Sequence, residues 1–159
     1  YGHKEESFES KLKEFVASTR KLVWKNLDIL EKVFSEINKN NPEISLFTGN
    51  LPFDDLMRKM KNCYAIILVS IGDISPNMIL DAIRYNKPFI CSKEIGIYER
   101  IKTAGVFVDP LNEGEIKNAI LDLLTPKGYE IAKNKVKSIS FIHTWQEIAR
   151  EFLNISEKI

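Results

Sequence analysis

Two carboxylates bracket the start of a predicted helix in the segment DISPNMILD, residues 73–81. Asp73 stands just ahead of Ser75, a good N-cap residue, and Pro76, a good first helical residue. Asp81 follows eight positions after Asp73, within a largely apolar run. Carboxylates accept hydrogen bonds from hydroxyl groups such as those of a sugar or ribose, and a pair of them can also serve glycoside hydrolysis. Taken singly, each is more often an ordinary polar residue of a loop or an exposed helix face.

Three basic residues, Arg20, Lys21 and Lys25, lie between a predicted strand and a predicted helix. Cations at a helix N-terminus are unfavourable by a few tenths to about 1 kcal/mol each, because the helix dipole is positive there. A diphosphate bound between Arg20 and Lys25 would offset this, since Arg binds phosphate in bidentate fashion and Lys acts as a point charge. A solvated loop in a lysine-rich protein is the alternative, and the cations alone do not decide between the two.

The order of predicted elements indicates the fold class. An apolar run over residues 64–70 is typical of a strand that is covered on both faces. Strands and helices alternate about five times, which predicts an α/β fold with a doubly wound, mostly parallel Rossmann-like sheet, helices on both faces and extra C-terminal helices. Strands are predicted over 13–19, 43–49, 64–70, 88–92 and 105–109, and helices over 27–39, 53–62, 75–86, about 95–102, 113–124, about 127–138 and 145–157.

Ligands of such sheets bind beyond the carboxyl ends of the strands, where helix N-termini also point. One edge of the predicted sheet therefore collects cations, glycines, a helix start and carboxylates. The residues that follow the first four strands are Arg20, Lys21 and Lys25; Gly49 and Asn50; Gly72, Asp73 and Ser75; and Lys93, Glu94, Gly96 and Glu99.

Composition bounds the possible functions. The 159 residues are 44% hydrophobic and 28% charged with a formal net charge of +1, as expected for one globular domain and unlike a nucleic-acid or membrane-surface binder. No apolar run approaches the length of a bilayer span. Cys63 and Cys91 lie in or beside apolar strand patterns, which favours buried free thiols in a reducing cytoplasm over a metal site. The start at Tyr1 favours a piece of a longer protein or a processed one.

The segment VSIGDISPNMILDAIRYNKPFICS, residues 69–92, resembles the signature of the retaining family-4 (group 1) glycosyltransferases of GT-B architecture. In that family a strand ending in Pro-Ser leads to a Glu, a Pro-Asn helix start, a second Glu after seven intervening residues, an Ala and a GKPVI strand. Asp73 and Asp81 keep the spacing of the two Glu. Further matches are Ser70, Pro76, Asn77, Ala82, Lys87 and Pro88.

The flanking segments support the same resemblance, which spans residues 14 to 157. STRKLVWKN is similar to the family's GRL…EKG segment, with Arg20 and Lys25 at the family's separation of five. EIGIYERIKTAGVFVDP is similar to its GGIPEII…GLLVDP block, and HTWQEIAREFLNI to its closing SWEKIAEEYL helix. The resemblance implies that residues 1–159 form one domain, the C-terminal donor-binding half of such an enzyme, without the N-terminal acceptor half.

Roles for individual residues follow from this resemblance alone. Arg20 and Lys25 would hold the donor diphosphate, which becomes the leaving group, and Asp81 would bind the ribose hydroxyls. The donor sugar would be held by Asp73 and the segment Ile74, Ser75, Pro76 and Asn77, the base by the backbone of Gly49 and Asn50, with Glu99 aligned to a family Glu near the donor site.

The implied ligand is a nucleotide sugar, used as a substrate, and no metal or other cofactor is expected. A nucleic-acid partner is not expected either. The missing half is the implied partner, and the resemblance leaves open a membrane-associated acceptor reached through it.

Three features depart from the family pattern. Both motif Glu are Asp, Ile95 replaces the first glycine of a Gly-Gly pair of which Gly96 remains, and the short segment before the second strand lacks a strand–helix unit. These departures motivate a second hypothesis, a non-catalytic glycosyltransferase-like module that binds a nucleotide or a protein partner.

Overall fold

The computed structural model describes residues 13–17, 21–74, 76–139 and 145–156. Five strands form one sheet: β1 (Lys13–Val16), β2 (Ile44–Phe47), β3 (Ala65–Leu68), β4 (Phe89–Ser92) and β5 (Val106–Val108). The α-helices of the described ranges are α1 (Leu27–Asn38), α2 (Phe53–Asn62), α3 (Asn77–Arg84), α4 (Tyr98–Ile101), α5 (Glu113–Leu124), α6 (Pro126–Ser138) and α7 (Trp145–Ser156). A 3-10 helix, Val23–Lys25, precedes α1.

The sheet is parallel throughout, with strand order β2-β1-β3-β4-β5. The chain moves from β1 outward to β2 and then returns past β1 to β3. This reversal creates a topological switch point between the carboxyl ends of β1 and β3, which is where ligands bind in open α/β sheets. The structure confirms the predicted fold class, a doubly wound Rossmann-like α/β sheet with additional C-terminal helices.

Two apolar cores cover the two faces of the sheet. Side chains of β3 alternate between them, with Ala65 and Ile67 on one face and Ile66 and Leu68 on the other. The first core packs against α1, α5 and α6, and the second packs against α2, α3 and α4. All four residues of β3 are buried, which confirms the expectation of a strand covered on both faces.

The start of α3 corrects one prediction. Pro76 is the N-cap residue, not the first helical residue, and Asn77 begins the helix. Pro76 has extended backbone angles (φ −73°, ψ 97°), and its carbonyl accepts hydrogen bonds from the backbone N–H groups of Ile79 and Leu80. Ser75, the predicted N-cap, lies outside the described residues.

The helices α2 and α5 have their predicted bounds, whereas every strand is shorter than its apolar pattern. Strands β1 and β3 end before the buried residues Ala17 and Val69, which continue the apolar patterns of these two segments. None of the helices in the described ranges is both long and apolar enough to cross a bilayer.

Candidate functional site

Lys25 and Asp73 meet at the switch point of the sheet. Lys25 follows β1 and Asp73 follows β3, and Lys25 Nζ lies 2.5 Å from Asp73 Oδ2. The exposed fractions of the two side chains are 18% and 16%, so the pair is mostly buried but still reachable from solvent. Salt screens such a pair less than a fully exposed one. Two sequence-predicted site residues, 48 positions apart, are thus brought into direct contact by the crossover of the chain.

Asn26 positions the segment that carries Lys25. Its backbone is left-handed (φ 56°, ψ 36°), a conformation that Asn tolerates better than most residues. Its Nδ2 donates to the carbonyl of Val69, at 3.3 Å, and to that of Pro110, at 2.6 Å. The side chain thereby joins the segment after β1 to those after β3 and β5.

Sequence reasoning missed Asn26. A polar residue just before a helix indicates an N-cap, but the Asn26 side chain makes no capping hydrogen bond to α1. The signal that could have found it is an Asn at a position where the chain must turn sharply between two helical segments. A second tie supports the same segment, since the backbone N–H of Ile71 donates to the carbonyl of Trp24 at 2.8 Å.

The backbone of Asp73 is held on both sides by the segment that follows β4. Its N–H donates to the carbonyl of Glu94 at 3.2 Å, and its carbonyl accepts from the N–H of Gly96 at 2.9 Å. These bonds form an isolated parallel bridge between Asp73 and Ile95, which extends the pairing of β3 and β4 beyond the strands. The backbone from which the Asp73 carboxylate extends is therefore fixed by its pairing with the segment after β4.

Gly96 is required for this bridge. A Cβ added at residue 96 would lie 2.5 Å from the carbonyl oxygen of Ile74, too close for any real side chain. Ile95, which stands where the resembling family has its first glycine, is buried and packs into the core beneath α3 and α4. The departure from the family pattern therefore adds a core side chain, while the close backbone approach is kept at Gly96.

The other predicted cations are not brought to this pair by the described contacts. Lys21 Nζ lies 3.9 Å from Glu31 Oε1, so Lys21 faces α1. Arg20 lies outside the described residues. A cavity of about 160 Å³ at the start of α1 is lined by Lys21, Leu22, Val23, Leu27, Asp28 and Glu31.

Asp81, the second predicted carboxylate, lies within α3 and is only 7% exposed. Burial raises the pKa of the Asp81 carboxyl above its ordinary value, and the charge of Arg84 partly counters that rise. Helix formation does not require a desolvated carboxylate at this position. Buried acids with a raised pKa occur both in functional sites and in structural networks. None of the described contacts joins Asp81 to the Lys25–Asp73 pair.

The remaining predicted residues follow the carboxyl ends of β2 and β3. Gly49 and Asn50 are exposed just after β2, and a Cβ at residue 49 would lie 2.9 Å from the Phe47 ring. Ile74 is 86% exposed, and Asn77, at the first position of α3, is exposed as well. Ser75, between them, lies outside the described residues.

Glu99, near the start of α4, forms an exposed ion pair with Lys102, with Oε2 and Nζ 2.7 Å apart. Its described partner therefore comes from the next turn of chain and not from the Lys25–Asp73 pair. An exposed pair of this kind contributes little to stability, so little free energy is lost when Glu99 exchanges Lys102 for another partner.

Exposed apolar residues lie near Lys25 and Asp73 in the sequence, and a buried thiol lies near the pair in space. Trp24, Ile71 and Ile74 are exposed, with Trp24 about half exposed. Burial raises the pKa of the Cys91 thiol to about 12; the nearby Asp73 carboxylate adds to the rise and Lys25 opposes it. The thiol is therefore protonated at neutral pH. Within the described ranges, no group of three or more His, Cys, Asp or Glu side chains is placed to hold a metal ion.

Comparisons with known proteins bear on the fold. No protein-family model matches the chain, and no curated protein sequence matches it either. Among solved structures, the chain is similar to the C-terminal domain of a glycosyl transferase group 1 family protein (LpcC) from Francisella tularensis, with a TM-score of 0.68 at 14% sequence identity. That match covers 82% of this chain and 85% of that one.

Two longer solved structures match more of this chain. HepE from Anabaena, in complex with UDP, has a TM-score of 0.68 at 15% sequence identity. The match covers 93% of this chain and 49% of the HepE chain. Sucrose-phosphate synthase from Thermosynechococcus elongatus has a TM-score of 0.69 at 12% sequence identity. That match covers 93% of this chain and 45% of the synthase chain. The chain thus spans about half the length of these two proteins, and its fold is that of a GT-B C-terminal domain.

Proposed function

We propose that this chain, whose fold is that of a GT-B C-terminal domain, is the donor-binding half of a retaining glycosyltransferase. In this proposal it binds a nucleotide diphosphate sugar, whose sugar is transferred to an acceptor. The observation that carries the proposal is the Lys25–Asp73 pair, which joins a cation and a hydroxyl acceptor at the switch point of the sheet. The UDP bound to HepE, a protein of the same fold, supports a nucleotide as the ligand.

The leaving group is the nucleoside diphosphate. Negative charge develops on it as the bond to the sugar breaks, and preorganised cations stabilise that charge most effectively where water is excluded. Lys25 supplies one such cation, and Arg20 is proposed as the second. The N-terminus of α3 adds a positive partial charge at the same edge.

Asp73 and Asp81 are proposed to bind hydroxyl groups of the donor. Asp73, with the backbone from Ile74 to Asn77, would hold the donor sugar, and Asp81 would bind the ribose. Gly49 and Asn50, exposed after β2, would supply backbone contacts to the base, and Glu99 would exchange its surface ion pair for the donor. Holding the donor in one orientation lowers the entropic part of the barrier.

The acceptor site belongs, in this proposal, to an N-terminal half that residues 1–159 do not contain. The chain spans about half the length of HepE and sucrose-phosphate synthase, which supports such an arrangement. We therefore expect the 159-residue chain to bind nucleotide or nucleotide sugar weakly and to show no turnover.

Titration of the isotopically labelled chain with UDP, GDP and ADP, followed by amide NMR, tests the proposal. We expect the largest shifts in residues 20–25 and 72–81, and several-fold weaker binding of the Arg20→Ala variant because one phosphate-binding cation is lost. Lys21→Ala is the matched control, since Lys21 pairs with Glu31. An absence of shifts with all three nucleotides, or shifts confined to other parts of the chain, would contradict the proposal.

A non-catalytic nucleotide- or partner-binding module is the second candidate. Two features favour it. The chain passes from α1 directly to β2, without the additional strand–helix unit of the family that it resembles, and Asp replaces Glu at both motif positions. Donor turnover by the full-length parent protein, abolished by Asp73→Ala, would decide for the enzyme. Nucleotide binding without turnover in that same protein would decide for the module.

A further inference from the structure

The two members of the Lys25–Asp73 pair differ in freedom of movement. Asp73 has a short side chain on a backbone that is hydrogen-bonded to Glu94 on one side and to Gly96 on the other. Lys25 has a four-carbon side chain with many rotamers, and it ends a short 3-10 helix. When an anion binds to the ammonium group of Lys25, the lysine can therefore move toward it, while the carboxylate stays in place.

A carboxylate that stays in place affects the two forms of a nucleotide ligand differently. A free nucleoside diphosphate ends in a phosphate that carries up to two negative charges, since its second pKa is about 6. In a nucleotide sugar the same phosphate is esterified, carries one negative charge, and is followed by a group rich in hydroxyl donors. The carboxylate of Asp73 repels the first group and accepts hydrogen bonds from the second.

We infer that Asp73 is a specificity-determining residue, which disfavours free nucleoside diphosphate and favours the nucleotide sugar by keeping a carboxylate against Lys25. This inference rests on the proposed function, because it assumes that Lys25 binds the diphosphate. The contact between Lys25 Nζ and Asp73 Oδ2 means that every anion at Lys25 competes with this carboxylate or lies beside it.

The inference gives Asp73 a role in product release. After transfer, the leaving nucleoside diphosphate gains a charge on its terminal phosphate and loses the sugar hydroxyls that Asp73 had bound. Both changes weaken its attraction to this edge of the sheet. The ammonium of Lys25 can then return to Asp73, which restores the ion pair between the two side chains.

The test compares the affinity of the 159-residue chain for two ligand series by isothermal titration calorimetry. The free anions are UDP, GDP, ADP and inorganic pyrophosphate, and the sugar-bearing ligands are UDP-glucose, GDP-mannose and ADP-glucose. The variants are Asp73→Asn, which removes the charge at nearly constant shape, and Asp73→Glu, which keeps it. Asp55→Asn is the matched control, because it removes a carboxylate from an exposed pair with Arg58 on α2.

We expect Asp73→Asn to tighten binding of the free anions about fivefold and to weaken binding of the matching nucleotide sugar, since one charge of repulsion and one strong acceptor are lost. Asp73→Glu should keep the parent's order of affinities, and Asp55→Asn should change neither series. A purely structural role for Asp73 would weaken both series together, so the ratio of the two affinities is the decisive readout. Asp73→Ser provides a second neutral variant if Asp73→Asn does not fold.

Unchanged or weaker binding of the free anions by both neutral variants would overturn the inference while leaving the proposed function in place. Failure of every ligand to bind the parent chain, or equal binding by Lys25→Ala and the parent, would instead overturn the proposed function and the inference with it. Measuring the Lys25→Ala variant alongside the Asp73 variants therefore distinguishes a failure of the inference from a failure of the proposed function.

Discussion

Two Lys–carboxylate pairs on the same sheet have similar burial and different surroundings. Lys59 of α2 binds Glu14 of β1 through both carboxylate oxygens, each at 2.9 Å, and its Nζ lies 4.3 Å from the centre of the Phe47 ring. Lys25 contacts Asp73 through one oxygen at 2.5 Å. The side chains of the first pair are 26% and 27% exposed, against 18% and 16% for the second.

Both pairs join a lysine to a carboxylate, so only their surroundings distinguish the pair that is proposed to bind a ligand. In the Lys59–Glu14 pair both oxygens accept a hydrogen bond and a ring covers the cation, so the contacts within the chain satisfy the charges. The Lys25–Asp73 pair uses one carboxylate oxygen and lies at the switch point, beside the N-terminus of α3. We therefore place the proposed ligand site at the Lys25–Asp73 pair and not at the Lys59–Glu14 pair.

The largest expected effect separates the two lysines. We expect Lys25→Ala to weaken nucleoside diphosphate binding about tenfold or more, since a charge-assisted contact to phosphate is lost. Lys59→Ala should leave that affinity unchanged and should lower the free energy of unfolding by about 1 kcal/mol, because a part-buried pair and a cation–π contact are lost. Calorimetric titration and urea unfolding of both variants measure the two effects.

The comparison of the two pairs fails if the roles exchange. A Lys59→Ala variant that loses nucleotide affinity while remaining folded, or a Lys25→Ala variant that loses only stability, would show that the site does not lie at the switch point. Lys25→Arg is a further control that keeps the charge at this position.

The next effect concerns the backbone that holds Asp73. We expect Gly96→Ala to lower the free energy of unfolding by about 1–3 kcal/mol, because its Cβ would meet the Ile74 carbonyl oxygen and part the bridge between Asp73 and Ile95. Nucleotide affinity should fall with it. Gly72→Ala, adjacent to Asp73 with nothing within 4 Å of its Cβ, is the matched control and should change stability by less than about 0.5 kcal/mol. Chemical unfolding measures the stability of both variants, and an equal loss of stability in the two would contradict this prediction.

The smallest expected effect concerns Asp81. In the described contacts, this carboxylate has no lysine partner of the kind found in the two pairs. Because burial raises its pKa in the folded state, the folded protein loses stability as pH rises from the unfolded pKa through the folded one. Asp81→Asn should therefore raise the free energy of unfolding at pH 7, and this gain should disappear once the pH falls below the unfolded pKa of an Asp carboxyl.

The same variant should bind nucleotides several-fold more weakly if Asp81 accepts hydrogen bonds from the ribose. Thermal unfolding across pH and calorimetric titration measure the two properties. A gain in stability with unchanged affinity would remove Asp81 from the proposed donor site and leave it as a buried acid within α3.

Much of the fold could be predicted because its signals are local. The bounds of α2 and α5 follow from the spacing of apolar residues and the charges at their ends, and both are confirmed. The start of α3 was predicted two residues too early, since Ser75 and Pro76 have good N-terminal propensities, yet Pro76 adopts an extended conformation. The strands were predicted too long, and in two of them the buried residues Ala17 and Val69 continue the apolar pattern beyond the paired segment.

The candidate site could be predicted in part. Lys25 and Asp73 were chosen from the sequence, and the structure places them in contact. Lys21 has the same charge and lies four residues earlier, but it faces Glu31 because the chain turns through the 3-10 helix and Asn26 before α1 begins.

By itself, the sequence determined which segments become strands and helices and which residue types follow each strand, because both depend on neighbours within a few positions. The tertiary structure alone decided that β3 lies beside β1 and that the ends of β1, β3 and β5 are tied through Asn26. Strand order depends on contacts between residues far apart in the chain, which no local pattern encodes. The meeting of Lys25 with Asp73 is a consequence of that order.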